Sequence, residues 1–215
     1  MSEVNIKITG DAKDVESEFK KVQAHFKAMA DDVRQRTHAL GVAFTAIGAS
    51  ITAVAGLAIK SSLEQQVGIN RLDQALKNVG ESYAQQKASI EAVIDAQERK
   101  TNYSDEQQRD ALQKLVTVGG QWEGSLEALK VATDLAAGAG IDLNTAALLV
   151  GKAIAGETGS LSRYGIVLKE GATQTEIMAA LTKQFGGAAE AAANPVYQLR
   201  NTLDNLAQVM GDALL

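Results

Sequence analysis

The sequence predicts an all-α protein: an extended coiled-coil-like helix with an apolar segment, followed by a glycine-rich small-helix region, with a short β-strand at the N-terminus. Three observations predict it. Only one of the 215 residues is proline, Pro195, so almost nothing in the chain forbids helix. Apolar residues in the first segment recur in alternating steps of four and three, the spacing of one face of a supercoiled helix. Between Arg36 and Lys60 there is no Asp, Glu, Lys or Arg, so Thr37 to Ile59 is an uncharged run of 23 residues.

The elements follow in order. Val4, Ile6 and Ile8 alternate with Asn5 and Lys7, a strand signal within residues 1–10 that stops at Gly10-Asp11. A lone strand needs a partner, so it pairs with a neighbouring subunit or folds back on its own chain. Asp11 or Asp14 caps the helix that follows. Residues 11–60 then form one rod. Val15, Phe19, Val22, Phe26, Met29 and Val33 make its seam and are read as self-association positions; the competing reading is an amphipathic helix packed on its own domain. Leu40, Ala43, Ile47, Ser50, Val54 and Leu57 carry the same spacing through the uncharged run.

At about 1.5 Å per residue that run is long enough for a bilayer core of roughly 30 Å. Yet 14 of its 23 residues are Gly, Ala, Ser or Thr, which makes it weakly hydrophobic. Gly48, Thr52 and Gly56 form a small-residue stripe that lets helix backbones approach closely. The expectation is conditional membrane insertion, or buried packing in a bundle, rather than a permanent anchor. The segment concerned holds Leu40, Phe44, Ile47, Gly48, Ile51, Thr52, Val54, Gly56, Leu57 and Ile59.

Residues 61–103 read as two amphipathic helices. One runs from Ser61 to about Val79, with Leu63, Val67, Leu72, Leu76 and Val79; the other from about Tyr83 to Arg99, with Ile90, Val93 and Ile94. Lys100 to Ser104 is a break, and Ser104 is a good N-cap with Asp105 and Glu106 in the positive first turn of the next helix. Residues 104–193 read as a small helical domain. Twelve of the nineteen glycines lie between Gly119 and Gly187 and separate short helices near Ser125–Ala137, Asn144–Ala155 and Gln174–Phe185. Asn144 and Thr173 or Thr175 are the expected caps; Gly138, Gly140, Gly156 and Gly186-Gly187 are the expected stops. Residues 194–215 form a last amphipathic helix with Pro195 in its first turn. It carries Leu199, Leu203, Leu206 and Met210 and meets no stop signal before Leu215, so it is expected to continue beyond the end of the chain.

Composition narrows the function classes. Aromatics are only 4% of the chain, so apolar area per residue is modest and elongated or oligomeric helices are expected over one thick core. A net charge of −5 argues against dedicated nucleic-acid binding, which needs clustered Lys and Arg. There is no cysteine, hence no disulfide and no thiolate chemistry. The first residues lack the basic and apolar regions of a signal peptide, so synthesis in a cytoplasm is expected.

The second half of the chain resembles phage tail tape measure proteins. The matching stretches are LEALKVATDLAAGAGIDLNTAALLVGKAIAGETGSLSRYGI and ALTKQFGGAAEAAANPVYQLRNTLDNLAQVMGDALL. The Gly-Gly-Ala-Ala-Glu-Ala run from Gly186 to Ala191, leading into a Leu-rich helix that ends Met-Gly-Asp, is especially like the family. Ala39 to Lys60, ALGVAFTAIGASITAVAGLAIK, is similar to the family's amphipathic-to-apolar leading segment. The resemblance implies an extended helical protein in the lumen of the tail tube, which sets tail length during assembly and helps the genome through the host envelope. It implies other copies of the chain, tail tube subunits, tail tip or baseplate proteins and tail assembly chaperones as partners, with the host membrane met during ejection. It implies no cofactor and no specific nucleic acid, and a location in the virion tail after assembly in the host cytoplasm. Many family members are much longer, so the chain is read as an N-terminal portion.

Catalytic and metal chemistry finds little footing. His25 and His38 are the only histidines, neither in a metal-ligating pattern, and no HExxH is present. Glu157, in Gly156-Glu-Thr-Gly-Ser160, is the one candidate for an envelope-degrading glutamate, since such a residue needs its pKa raised by apolar burial. The companion segment expected downstream is missing, so a loop glutamate is the preferred reading. Gly151-Lys152 is not a phosphate loop, because Ala146 and Ala153 stand where Gly and Ser or Thr are required. Trp122 is read as a packing anchor. No catalytic, cofactor-binding or metal residue is assigned. The rival to the tail reading is a helical membrane-inserting protein, toxin-like or a one-span anchor.

Overall fold

In the computed structural model of the protein, the backbone is described for residues 51–212 and the side chains for residues 63–205. The described residues hold eight α-helices, one 3-10 segment and no strand. The helices are α1 (Ile51–Asn78), α2 (Tyr83–Glu98), α3 (Asp105–Gly119), α4 (Ser125–Ala139), α5 (Leu143–Ile154), α6 (Gln174–Phe185), α7 (Ala188–Ala191) and α8 (Pro195–Asp212), with the 3-10 segment at Thr158–Tyr164 between α5 and α6. The predicted strand, the seam from Val15 to Val33, both histidines, and Leu40, Phe44, Ile47 and Gly48 lie outside the described residues.

Local chemistry starts most of these helices. Ser104 accepts from the Gln107 amide while the Gln107 side chain accepts from the Ser104 amide, a reciprocal capping box. Thr173 and Glu176 build the same device at α6. At α5 the cap is Asp142, which accepts from the Thr145 amide at 2.8 Å, rather than the expected Asn144. Asp142 is the better cap because its carboxylate also meets the positive end of the helix. α4 ends at Gly140 in the left-handed conformation, one of the two stops expected there, and runs past Gly138.

The core is built by α1 to α6 and the 3-10 segment. α3, α4 and α5 pack on one another, α1 and α2 cover α3, and α6 lies on α4 and α5. Leu72, Leu76, Ile90, Ile94, Leu112, Leu115, Leu129, Leu135, Leu161, Ile177 and Leu181 are the large side chains at its centre. Alanines fill the rest, among them Ala128, Ala132, Ala146, Ala147 and Ala153. Small residues bring backbones together: a Cβ on Gly151 of α5 would stand 3.1 Å from the Val118 side chain of α3. This core draws on residues either side of Ser104, so α2 and α3 share one interior.

Two turns are tied from far away. The Asp134 carboxylate of α4 accepts from the Gly187 and Ala189 amides and so caps α7. Asn102, in the break between α2 and α3, donates to the Ala192 carbonyl and accepts from the Asn194 amide, which fixes where α8 begins. α8 then packs along α1.

Gly138 and Gly68 give opposite expectations for the same substitution. An alanine normally gains about 1 kcal/mol over glycine inside a helix. At Gly138 the added Cβ would lie 2.6 Å from the Phe185 ring and 3.2 Å from the Ala188 Cβ. Overpacking of that kind costs about 1–3 kcal/mol, so Gly138→Ala is expected to destabilise. Gly68 has nothing within 4 Å of the added atom, and Gly68→Ala is expected to stabilise. Urea unfolding of the two variants checks the signs; a stabilised Gly138→Ala would be the wrong outcome.

Candidate functional site

The candidate site is α1 with the polar seam beneath it. α1 has two faces. Leu72 and Ala75 are buried in the core. Asn70 and Gln74, on the opposite side, are exposed. Leu63 and Val67, expected as part of the buried face, lie instead on this outer side and are 52% and 46% exposed. Among the described residues, the apolar contacts of α1 with the core begin at Ile69. Of the predicted segment, Ile51, Thr52, Val54, Gly56, Leu57 and Ile59 lie within the helix.

The seam is a chain of buried polar groups joining α2 to α3. Arg109, 4% exposed, donates from Nη2 to Glu91 Oε2 at 2.7 Å and from Nε to Glu91 Oε1 at 3.3 Å. Its Nη1 donates to the Asp105 carboxylate one turn earlier on α3. The Tyr83 hydroxyl donates to Glu91 at 2.5 Å. Burial, reinforced by the Glu91 carboxylate, pushes the Tyr83 hydroxyl up to about 12. Burial works against the Arg109 charge, but Glu91 and Asp105 more than offset it and hold the guanidinium protonated. Burial also opposes ionisation of Asp105, yet bonds from Glu106 and Arg109 keep it below the ordinary carboxylate range. Glu106 next to it is pushed up to about 7, first by burial and then by Asp105.

Two carboxylates pushed apart in this way can divide acid and base work. Here Asp105 is committed to Arg109, so its first role is to neutralise a buried cation. Glu106 borders a cleft of about 460 Å³ between α1, the start of α3 and α8, lined also by Glu64, Tyr197 and Arg200. A second, more open groove of about 840 Å³ separates the start of α4 from α6, bridged by a Gln121–Gln174 hydrogen bond.

The remaining candidates fall as follows. The Glu157 side chain is 71% exposed and 3.7 Å from Lys152, away from the apolar burial that a catalytic glutamate needs. Lys152 is a rim residue of α5. Trp122 is half-buried against the core. Among the described residues no group of side chains is arranged to hold a metal ion, and no helix is long and apolar enough to cross a membrane. Sequence reasoning missed the Arg109 seam, because Glu91 and Arg109 lie 18 residues apart on different helices. Comparison with protein-family models, curated proteins and solved structures gives no match to this chain.

Proposed function

We propose that this chain is a structural, non-enzymatic phage tail protein that acts as a length ruler within the tail tube and assists genome ejection across the host envelope. The observation that carries this reading is the continuity of α1. The uncharged segment runs without a break from Ile51 into a helix whose last turns are locked in a folded body. A ruler must transmit length along a stiff element and end on something fixed, and a helix anchored in a core supplies both. The low aromatic content, the single proline and the resemblance over residues 126–166 and 180–215 agree with it. Its partners in this reading are other copies of the chain, held by Val15, Phe19, Val22, Phe26, Met29 and Val33, together with tail tube subunits, tail tip or baseplate proteins, and assembly chaperones. The stretch from Leu40 to Ile59 then meets the host membrane during ejection.

A ruler test must leave the core intact, so it belongs upstream of Leu72, Ile90 and Ile94. Duplicating residues 12–39, four heptads, in the phage that encodes the chain keeps the seam register. At 1.5 Å per residue the added helix is about 42 Å long. Electron microscopy is expected to show uniformly longer tails by about that amount. Unchanged tails on particles that fail to deliver DNA would confine the segment to ejection. Tails that form normally without the protein would favour the membrane-inserting alternative.

A further inference from the structure

The face that α8 turns toward the end of α2 is lined by amides. Gln198 donates to the Arg99 carbonyl at 3.3 Å, Asn201 is 5% exposed, and Asn205 Nδ2 donates to Glu98 Oε2 at 2.8 Å. Glu98 is itself only 8% exposed. The other oxygen of each partner, Glu98 Oε1 and Asn205 Oδ1, is buried and has no hydrogen-bond partner. Two acceptors cannot bond each other, and turning the Asn205 amide over only exchanges which oxygens are left facing. A proton on Glu98 would let Oε1 donate to Asn205 Oδ1 and satisfy both at once, whereas Asn201 Nδ2, the buried donor without a partner one turn earlier on α8, could satisfy only one of them. The geometry points to a proton-operated clasp, in which Glu98 holds α8 against α2 as the neutral acid and releases it as the carboxylate.

The surroundings favour the neutral acid. On α2 itself the charged neighbour is Asp95; α3 contributes Asp105 and Glu106, and its Arg109 is engaged by Glu91 and Asp105. α8 brings Arg200 and Asp204, which pair with each other at 3.7 Å on the surface, and α1 brings Glu64 to the rim of the adjoining cleft. Burial raises the pKa of Glu98; the Asn205 amide opposes this, the Asp105 and Asp95 carboxylates raise it further, and the Asp105 backbone amide opposes it weakly. A group whose pKa is raised in the docked state takes up its proton more strongly there. Docking is therefore complete below the ordinary glutamate range and weakens as pH rises through the raised value. The clasp does not depend on the tail reading.

Hydrogen exchange of the α8 amides in the full chain tests it, with wild type, Glu98→Gln and Glu106→Gln compared at matched pH between 4.5 and 8. Glu98→Gln carries a permanent N–H where the acid carries its proton. It is expected to keep α8 protection constant once intrinsic exchange is subtracted. Wild type is expected to match it at pH 4.5 and to exchange about tenfold faster at pH 8, and Glu106→Gln to follow wild type. Identical profiles for wild type and Glu98→Gln would overturn the clasp, as would weaker protection in Glu98→Gln at pH 8. So would loss of the pH dependence in Glu106→Gln, which would assign the proton to that residue. In wild type alone, the Glu98 carboxyl carbon is expected to titrate above the ordinary glutamate range by NMR; titration within or below that range refutes the proposal.

Discussion

Arg109→Met is expected to destabilise the folded body by about 3–5 kcal/mol, the cost of removing one partner from a buried ion pair. The reason lies in what remains. Asp105 is 5% exposed and Glu91 is partly buried, and both carboxylates lose their counter-charge at once. Tyr83 still donates to Glu91, so the orphaned charge falls mainly on Asp105. The pH dependence has a definite sign. In wild type the Asp105 pKa is lowered, so its contribution is present at neutral pH and fades as pH falls through that lowered value. In the variant, burial without Arg109 raises the same pKa, and protonation relieves the strain. Both effects shrink the difference in acid. Urea unfolding at pH 7 and pH 4 measures it, with Glu91→Gln and Asp105→Asn added to Arg109→Met as the compensated control. A loss below about 1 kcal/mol that is unchanged by pH would mean that the network contributes little.

Leu112→Ala is the second large effect, expected at about 2–5 kcal/mol in the same unfolding experiment. Leu112 is fully buried on α3, the helix that packs against α1, α2, α4 and α5. About a third of the buried apolar residues are alanines, so the neighbouring helices are already close at those points and have little room to collapse on the cavity. Leu148→Ala on α5 is the matched control, because Leu148 is 39% exposed, and its cost is expected to stay near or below 1 kcal/mol. Equal costs at the two sites would mean that the buried cluster around α3 does not carry the stability of the domain.

Helix positions were largely legible because their causes are local. Ser104 reads as a cap from its own hydroxyl and the acidic residues after it, and of the two threonines that could cap α6 the structure uses Thr173, with Glu176 closing the box. Pro195 opens α8 because it needs no backbone donor there. Where two local signals competed, sequence chose less well. Asp142 and Asn144 are both good caps, and only the path of the chain from Gly140 decides between them. Gly138 reads as a stop, yet it stays inside α4 because Phe185, from a helix 47 positions later, requires the space a side chain would take.

By itself, the sequence determined the all-helical character of the described residues and most of their boundaries. These follow from interactions within three or four residues along the chain. Tertiary structure alone decided that Leu63 and Val67 face outward, that Arg109 bridges α2 and α3, and that Asp134 caps α7. It also decided that Asn102 and Glu98 hold α8 from more than ninety residues away. The physical reason is that a charge or an amide carries no record of its partner in its own neighbourhood. Burial selects the partner, and burial exists only once the helices have packed.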